Sequence, residues 1–334
     1  MQARGLWITR PRHAELRPAE VRPCGPDDIT VKAIASGISH GTEMVLYRGQ
    51  GPADQPLTPT TSEGSWTLPA KFGYQNVGRV IEAGKNTVYK PGDLVFCRYP
   101  HQDYFTVDAV DPEFVSKLPE VDPVDAVLAN LADVSLSALL DIPVRVGDVV
   151  AVFGAGVVGL FCMRFARRIA RTVIVVDPIP ERRRKAVELG ADQGVSPSEA
   201  VDAVMAASDG RGADVVYEAS GHPSALQGAI DCAGQEATVG VPGWYGNKSV
   251  PLRLAPEFHL RRLRIVSTTV MEAGSGLQPR WDLARKLAVA VEWLPELRAS
   301  EIISHRIPFD QGPEAYRLVD EHPEQALAVA LVYE

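Results

Sequence analysis

The stretch VVAVFGAGVVGL, residues 149–160, decides the fold. A short apolar run suited to a buried strand meets three glycines at the spacing GxGxxG, and helical patterning follows through FCMRFARRIA. TVIVVD and PERRRKAVELGAD then add a second strand and a second helix. Strand, Gly-rich turn, helix and strand make a βαβ unit, so the sheet is parallel. In this context the glycines read as a dinucleotide fingerprint. Gly154 permits the tight turn, Gly156 lets backbone N–H groups approach a pyrophosphate, and Gly159 lets the helix lie close on the sheet. The helix N-terminus faces the phosphates, with Val157 and Val158 in its first turn. A glycine turn without a ligand is the alternative.

Asp177 ends the second strand, 18 residues beyond Gly159. A carboxylate there accepts from the adenosine ribose hydroxyls and repels a 2′-phosphate, which points to NAD(H) over NADP(H). Arg182, Arg183 and Arg184 argue the other way unless they lie on an exposed helix face. An N-cap role for Asp177 is the weaker reading, because Pro178 follows directly. ADVVYEAS, EATVGVP and RIVSTTV are further strand candidates, and Ser220 and Val241, at or near the ends of the first two, join the expected cofactor set.

Outward from this centre, short alternating runs between Asp28 and about Val107 (DITVKAIASG, VGRVIEAG, DLVFCRY, YFTVDAV) read as strands. Residues 47–71 are rich in Gly, Pro, Thr and Ser and read as a long loop. Helical spacing begins at Pro123, and ISHRIPFD, GPEAYRLVDEH and ALAVALVYE return to the β-rich texture of the start. The expected domains are 1–120, 121–291 and a C-terminal return, 292–334, onto the first.

The 334 residues, 46% apolar and 23% charged, suit a globular chain of two domains. A formal net charge of −8 disfavours nucleic acid or anionic membrane as a partner. Arg261, Arg262 and Arg264 are a local exception, read as a solvated face or interface before an anion site. No run of 18 apolar residues could span a bilayer, and the N-terminus lacks an apolar export core, so the expected location is the cytoplasm. Cys24, Cys97, Cys162 and Cys232 form no CxxC pair, which argues against disulfides and a structural zinc site.

SGISHGTEM, GYQNVGRVIEAG, KPGDLVF, the glycine fingerprint with Asp177, ELGAD, DVVYEASG and HRIPF occur in an order that resembles the medium-chain dehydrogenase/reductase superfamily of the zinc alcohol dehydrogenase type. The likeness covers nearly the whole chain. It implies an α/β protein with a GroES-like β-rich domain plus a doubly wound Rossmann domain, hydride transfer in the cleft between them, and a homodimer or homotetramer. GISHGTE followed by a Gly-Tyr element is also similar to the subgroup that includes bacteriochlorophyllide dehydrogenase.

The positions that match the zinc ligands of the family carry Ser39, Tyr74 with Gln75, and Asp133. Serine, tyrosine and glutamine are poor zinc donors beside thiolate and imidazole, so no metal residues are assigned. A site rebuilt from His40, Asp133 and His101 would need three separate elements to converge. Without zinc, hydrogen-bond donors must stabilise the substrate oxygen. The catalytic candidates are therefore Ser39, Thr42, Tyr74 and Asp133. Tyr74 either contacts that oxygen or fills the vacated metal space. Ser39 and Thr42 relay a proton or hold the turn. Asp133 orients Tyr74, acts as base, or ends a helix. His40 matches a family position near the pyrophosphate and joins the cofactor set, with a turn role as the alternative. Loops such as 48–70 and 270–282 are expected to form the substrate pocket.

The resulting expectation is an NAD(H)-dependent enzyme, with NAD as cofactor, interconverting a secondary alcohol and a ketone on a small molecule. An enoyl or quinone reductase, and a catalytically inactive NAD-binding protein, are the rivals.

Overall fold

Every side chain of Val149–Phe153 is buried, as a strand covered on both faces requires. In the computed structural model, which describes residues 2–53, 55–57, 61–111, 113–270 and 280–334, this strand lies inside a six-stranded parallel sheet. Its neighbours are Thr172–Val176 on one side and Ala213–Glu218 on the other. Gln193–Val195 extends the sheet beyond the first, and Ala233–Val241 then Arg264–Ser267 beyond the second. Numbered along the chain, the order is 3-2-1-4-5-6, the doubly wound arrangement. The order reverses between the first strand and the fourth, and an open α/β sheet binds ligands at the carboxyl ends of such a pair. Ala151, Ile174, Val216 and Val239 belong to the core on this sheet.

This sheet lies in a compact unit, Leu131–Asp282, while Met1–Asn130 together with Leu283–Glu334 form another. The divisions fall ten residues after the boundary read at 120 and nine before the one read at 291. Packing accounts for both. The helix Pro123–Ala126 packs on strands Asp28–Ile38 and Asn76–Ala83, and the helix Leu283–Glu292 packs on Val115–Lys117, all in the other unit. A change of periodicity marks where helices begin, not which core they cover.

The discontinuous unit is built on the long strand Asp28–Ile38, which pairs with Asn76–Ala83, Tyr104–Asp108 and, from the far end of the chain, Val329–Val332. The last of these pairs in parallel with His305–Pro308, so the tail is part of the same sheet. A second, four-stranded sheet contains the hairpin Ala3–Arg10 and His13–Ala19, which the sequence reading did not assign. Glu63–Gly64 and Ala70–Lys71 add two short strands to it, within the stretch read as loop. Backbone pairing there overrides the polar, broken composition. Among the described residues no helix is long and apolar enough to cross a membrane.

Candidate active site

In the discontinuous unit the polar groups gather where Asp28–Ile38 gives way to the helix Thr42–Tyr47. Glu43, in the first turn of that helix, has no exposed surface. A buried carboxylate is tolerated only with donors around it, and Glu43 has three. Its Oε1 accepts from the Ser39 backbone N–H at 2.9 Å; its Oε2 accepts from the Tyr316 hydroxyl at 2.7 Å and lies 2.9 Å from His101 Nε2. His101 is equally buried, and its Nδ1 lies 2.7 Å from Ser36 Oγ, which in turn lies 2.8 Å from the Tyr333 hydroxyl. One carboxylate thus ties the strand end, the helix start, residue 101 and Tyr316 together, and His101 carries the link on through Ser36 to Tyr333.

Tyr74 joins this cluster from the side. Its hydroxyl donates to Ser39 Oγ at 2.5 Å. Burial, reinforced by the Glu43 carboxylate, pushes the Tyr74 phenol well above its usual range, outweighing the hydrogen bonds of Ser39 and Thr42. The phenol is thereby held protonated, as a donor. Gly73 makes the approach possible: its φ is +142°, and a Cβ would stand 3.2 Å from the backbone N and ring of His101. Gln75 is fully buried and donates from Nε2 to the Gly37 carbonyl at 3.2 Å, so it braces the strand end.

Three of the four catalytic candidates, Ser39, Thr42 and Tyr74, therefore meet. Asp133, fully buried on the helix Ala129–Asp141, belongs to the other unit. His40 lies in the turn beside Ser39. Glu43, Ser36, Tyr316 and Tyr333 escaped the sequence reading. The only signal for Glu43 was its place in the quoted GISHGTE turn.

In the sheet unit, the cradle follows directly from the glycines. Gly154 has φ +94°, and a Cβ there would lie 2.9 Å from Ser220 N. A Cβ on Gly159 would meet the Gly154 carbonyl oxygen at 1.8 Å, whereas one on Gly156 would meet nothing within 4 Å. Two glycines are thus required by close packing, and the third leaves backbone open at the N-terminus of Val157–Ala166, where Val157 and Val158 supply the first amides. Asp177, 3% exposed, accepts from Ala155 N–H and Ile179 N–H, each at 2.8 Å. Arg183 turns back to donate to the Asp177 and Pro178 carbonyls at 2.8 and 2.9 Å. Across the switch point, Ser220 donates its N–H at 2.9 Å, and its hydroxyl, to the buried Glu218. Val241 closes the next strand.

At two of the positions that match the family's zinc ligands, Ser39 and Tyr74, the side chains do not fit that metal: they are hydrogen-bonded to each other, with the phenol kept protonated. His101, considered for a rebuilt site, has both ring nitrogens engaged. Among the described residues no group of three or more His, Cys, Asp and Glu side chains could hold a metal ion. Most of the loop 270–282, residues 271–279, lies outside the described residues, as do 54 and 58–60 in the loop 48–70.

The chain combines a doubly wound sheet carrying this glycine cradle with a second, β-rich unit completed by the C-terminal strands, the two parts of a dehydrogenase architecture. Comparison with known proteins gives the family. Residues 157–288 match the family model described as zinc-binding dehydrogenase. D-guloside 3-dehydrogenase of Escherichia coli (strain K12) is 29% identical over 98% of this chain and 99% of its own. (R,R)-Butanediol dehydrogenase of Bacillus subtilis (strain 168) is 32% identical over 61% of this chain and 67% of its own. Among solved structures, alcohol dehydrogenase TADH from Thermus sp. ATN1 shares the fold with a TM-score of 0.81, at 24% identity over 99% of this chain and 100% of its own. The chain belongs to the medium-chain dehydrogenase/reductase superfamily, with a GroES-like and a Rossmann domain.

Proposed function

We propose that the chain is an NAD(H)-dependent alcohol dehydrogenase that interconverts a secondary alcohol and a ketone on a small or medium-sized metabolite, using hydrogen-bond donors of its own at the reacting oxygen. The observation that carries this reading is the cradle of Gly154, Gly156 and Gly159 at the switch point, with the Asp177 carboxylate at the end of the neighbouring strand. The names of the relatives support the alcohol half, since the 3-hydroxyl of a pyranoside ring is a secondary alcohol.

When bound, a nicotinamide ring accepts or supplies the hydride. The chain's residues do the rest. Gly156 and the amides of Val157 and Val158 hold the pyrophosphate against the helix N-terminus. Asp177 receives the adenosine ribose hydroxyls, because each carboxylate oxygen retains an acceptor site beyond its amide. In ketone reduction, the Tyr74 hydroxyl gives its proton to the carbonyl oxygen as charge grows there, the Ser39 hydroxyl returns a proton to the Tyr74 oxygen, and water restores the Ser39 proton, so each hydride is matched by one proton from solvent. In alcohol oxidation the relay runs in reverse: the Tyr74 oxygen takes the substrate proton as it passes its own to Ser39, and one proton leaves to water. Glu43 holds the Ser39 backbone in place; Asp133 is the remaining catalytic residue of this reading, and His40, Ser220 and Val241 are its further cofactor contacts. The expected assembly is a homodimer or homotetramer.

Turnover tests the assignment. Reduction of NAD by a panel of secondary alcohols, including glycosides, is expected. Oxidation of NADPH by enones or quinones instead would replace the reading with a reductase, and NAD binding without turnover would leave a non-catalytic binder. Metal analysis of the active protein should find well under one zinc per chain; a full equivalent needed for activity would overturn the donor mechanism.

A further inference from the structure

Beyond the glycine cradle, on the other side of the switch point, a short strap crosses the carboxyl ends of strands Ala213–Glu218 and Ala233–Val241. It comprises residues 242–248, PGWYGNK, and is tied down by three hydrogen bonds and one close backbone approach. Gly243 N–H donates to the Glu218 carbonyl at 3.1 Å. The Tyr245 hydroxyl donates to Glu218 Oε2 at 2.5 Å. Lys248 Nζ donates to the Gly221 carbonyl at 2.9 Å. Gly221, at φ +61°, passes so close that a Cβ would lie 2.8 Å from the Trp244 carbonyl oxygen.

The centre of this fastening is the Glu218 side chain, which has no exposed surface. It gathers the Ser220 N–H and hydroxyl on Oε1 and the Gly221 N–H, at 3.3 Å, with the Tyr245 hydroxyl on Oε2. Gly243 is needed for the approach, since a Cβ would stand 3.0 Å from Oε2 and 2.7 Å from Gly221 N. Burying a carboxylate is costly unless its acceptor sites are filled, so the strap's tyrosine belongs to what makes Glu218 tolerable there. Burial and the Glu218 hydrogen bond both push the Tyr245 phenol upward, so its proton stays in place.

Topology says what the strap faces. With the pyrophosphate at the cradle after strand 1 and the adenosine beside Asp177 after strand 2, a dinucleotide crossing the switch point must extend toward strands 4 and 5. Those are the strands whose ends Glu218 and the strap cover.

We infer that Glu218 and Tyr245 form a latch that holds the strap 242–248 as a wall for the nicotinamide half of the dinucleotide. Both act as positioning residues for that half alone. The inference rests on the NAD(H) reading above, and the test separates the two. NADH and ADP-ribose, which shares every group except the nicotinamide and its bond, are titrated against the protein and its variants. Tyr245→Phe, which removes a single hydroxyl, should weaken NADH binding by about tenfold and leave ADP-ribose within about twofold. Glu218→Gln should lose less, because its amide can donate to the Tyr245 oxygen while its carbonyl still accepts from Ser220, and only the long Gly221 N–H bond is given up. Hydrogen exchange should rise across 242–248 in Tyr245→Phe and stay slow in Val149–Phe153. Equal weakening of both ligands, unchanged NADH binding, or unchanged exchange in the strap would each overturn the latch. Binding of neither ligand by the unaltered protein would overturn the dinucleotide reading, and the latch with it.

Discussion

Asp177→Asn separates the job that the carboxylate performs in the turn from the one proposed for it toward the cofactor. The side chain accepts from Ala155 N–H and Ile179 N–H, both at 2.8 Å, so it pins the glycine turn to the end of its neighbouring strand. Asparagine keeps one acceptor and turns an NH2 group toward the other amide. Hydrogen bonds to a charged group are worth about 1.5–3 kcal/mol, so roughly 2 kcal/mol is lost to the turn, a cost common to any dinucleotide. For NAD this corresponds to a Kd about 30-fold weaker. For NADP a second effect opposes the first. A carboxylate about 5 Å from a 2′-phosphate costs about 3 kcal/mol per unit charge at an effective dielectric of about 20, and asparagine removes that repulsion. NADP binding should therefore tighten by about fivefold, and the ratio of the two Kd values should move by more than about 100-fold. The assay is fluorescence titration with NADH and NADPH at fixed ionic strength, with Asp177→Ala as the control that removes both acceptors. Equal factors for both nucleotides would refute the reasoning and leave Asp177 as a pin for the turn.

Tyr74→Phe should slow turnover by about 100-fold while NADH affinity is unchanged, and an unaltered rate would mean that the ring only fills space. Glu43→Ala leaves the Ser39 N–H, His101 Nε2 and the Tyr316 hydroxyl without their acceptor, an expected loss of about 4 kcal/mol. At a urea dependence of about 2 kcal/mol per molar, the unfolding midpoint of that unit should fall by about 2 M, followed by amide exchange in Asp28–Ile38. The phenols of Tyr74, Tyr316, Tyr333 and Tyr217 are all raised from the ordinary 10.0, mainly by burial. The folded chain then holds protons that the unfolded chain releases above about pH 10, so this contribution is complete below that pH and is lost as pH rises further. A thermal midpoint that stays flat well past pH 10 would contradict it.

How much of this was legible in the sequence differed between the two halves, for a physical reason. The nucleotide cradle is built from one contiguous segment, and its requirements are steric: Gly154 and Gly159 admit no Cβ, so the residue type itself reports the geometry. Asp177 follows at a spacing set by one helix and one strand. The cluster around Glu43 has no such signature. Its members come from residues 36, 43, 101, 316 and 333, and any of them alone reads as an ordinary polar residue of a turn or strand. Ser39 and Tyr74 were singled out by their match to family positions; that they touch, and that a buried carboxylate stands behind them, only the fold reveals. Glu218 was hidden in another way, inside the apolar strand ADVVYE, where alternation gives no warning of a buried charge.

The pairing of Val329–Val332 with Asp28–Ile38, together with Tyr333 on Ser36 and Tyr316 on Glu43, bears on the order of events during synthesis. The sheet Val149–Ser267 is contiguous and can close while later residues are still inside the ribosome. In the strand Asp28–Ile38, by contrast, residues 28–32 are covered once Tyr104–Asp108 is made, but the edge at residues 35–38 stays open until Val329–Val332 emerges some 290 residues later. An exposed strand edge is prone to pair with the wrong chain. Nascent chains should accordingly be vulnerable to wrong pairing at residues 35–38, and shielding of that short edge by a chaperone should raise the yield.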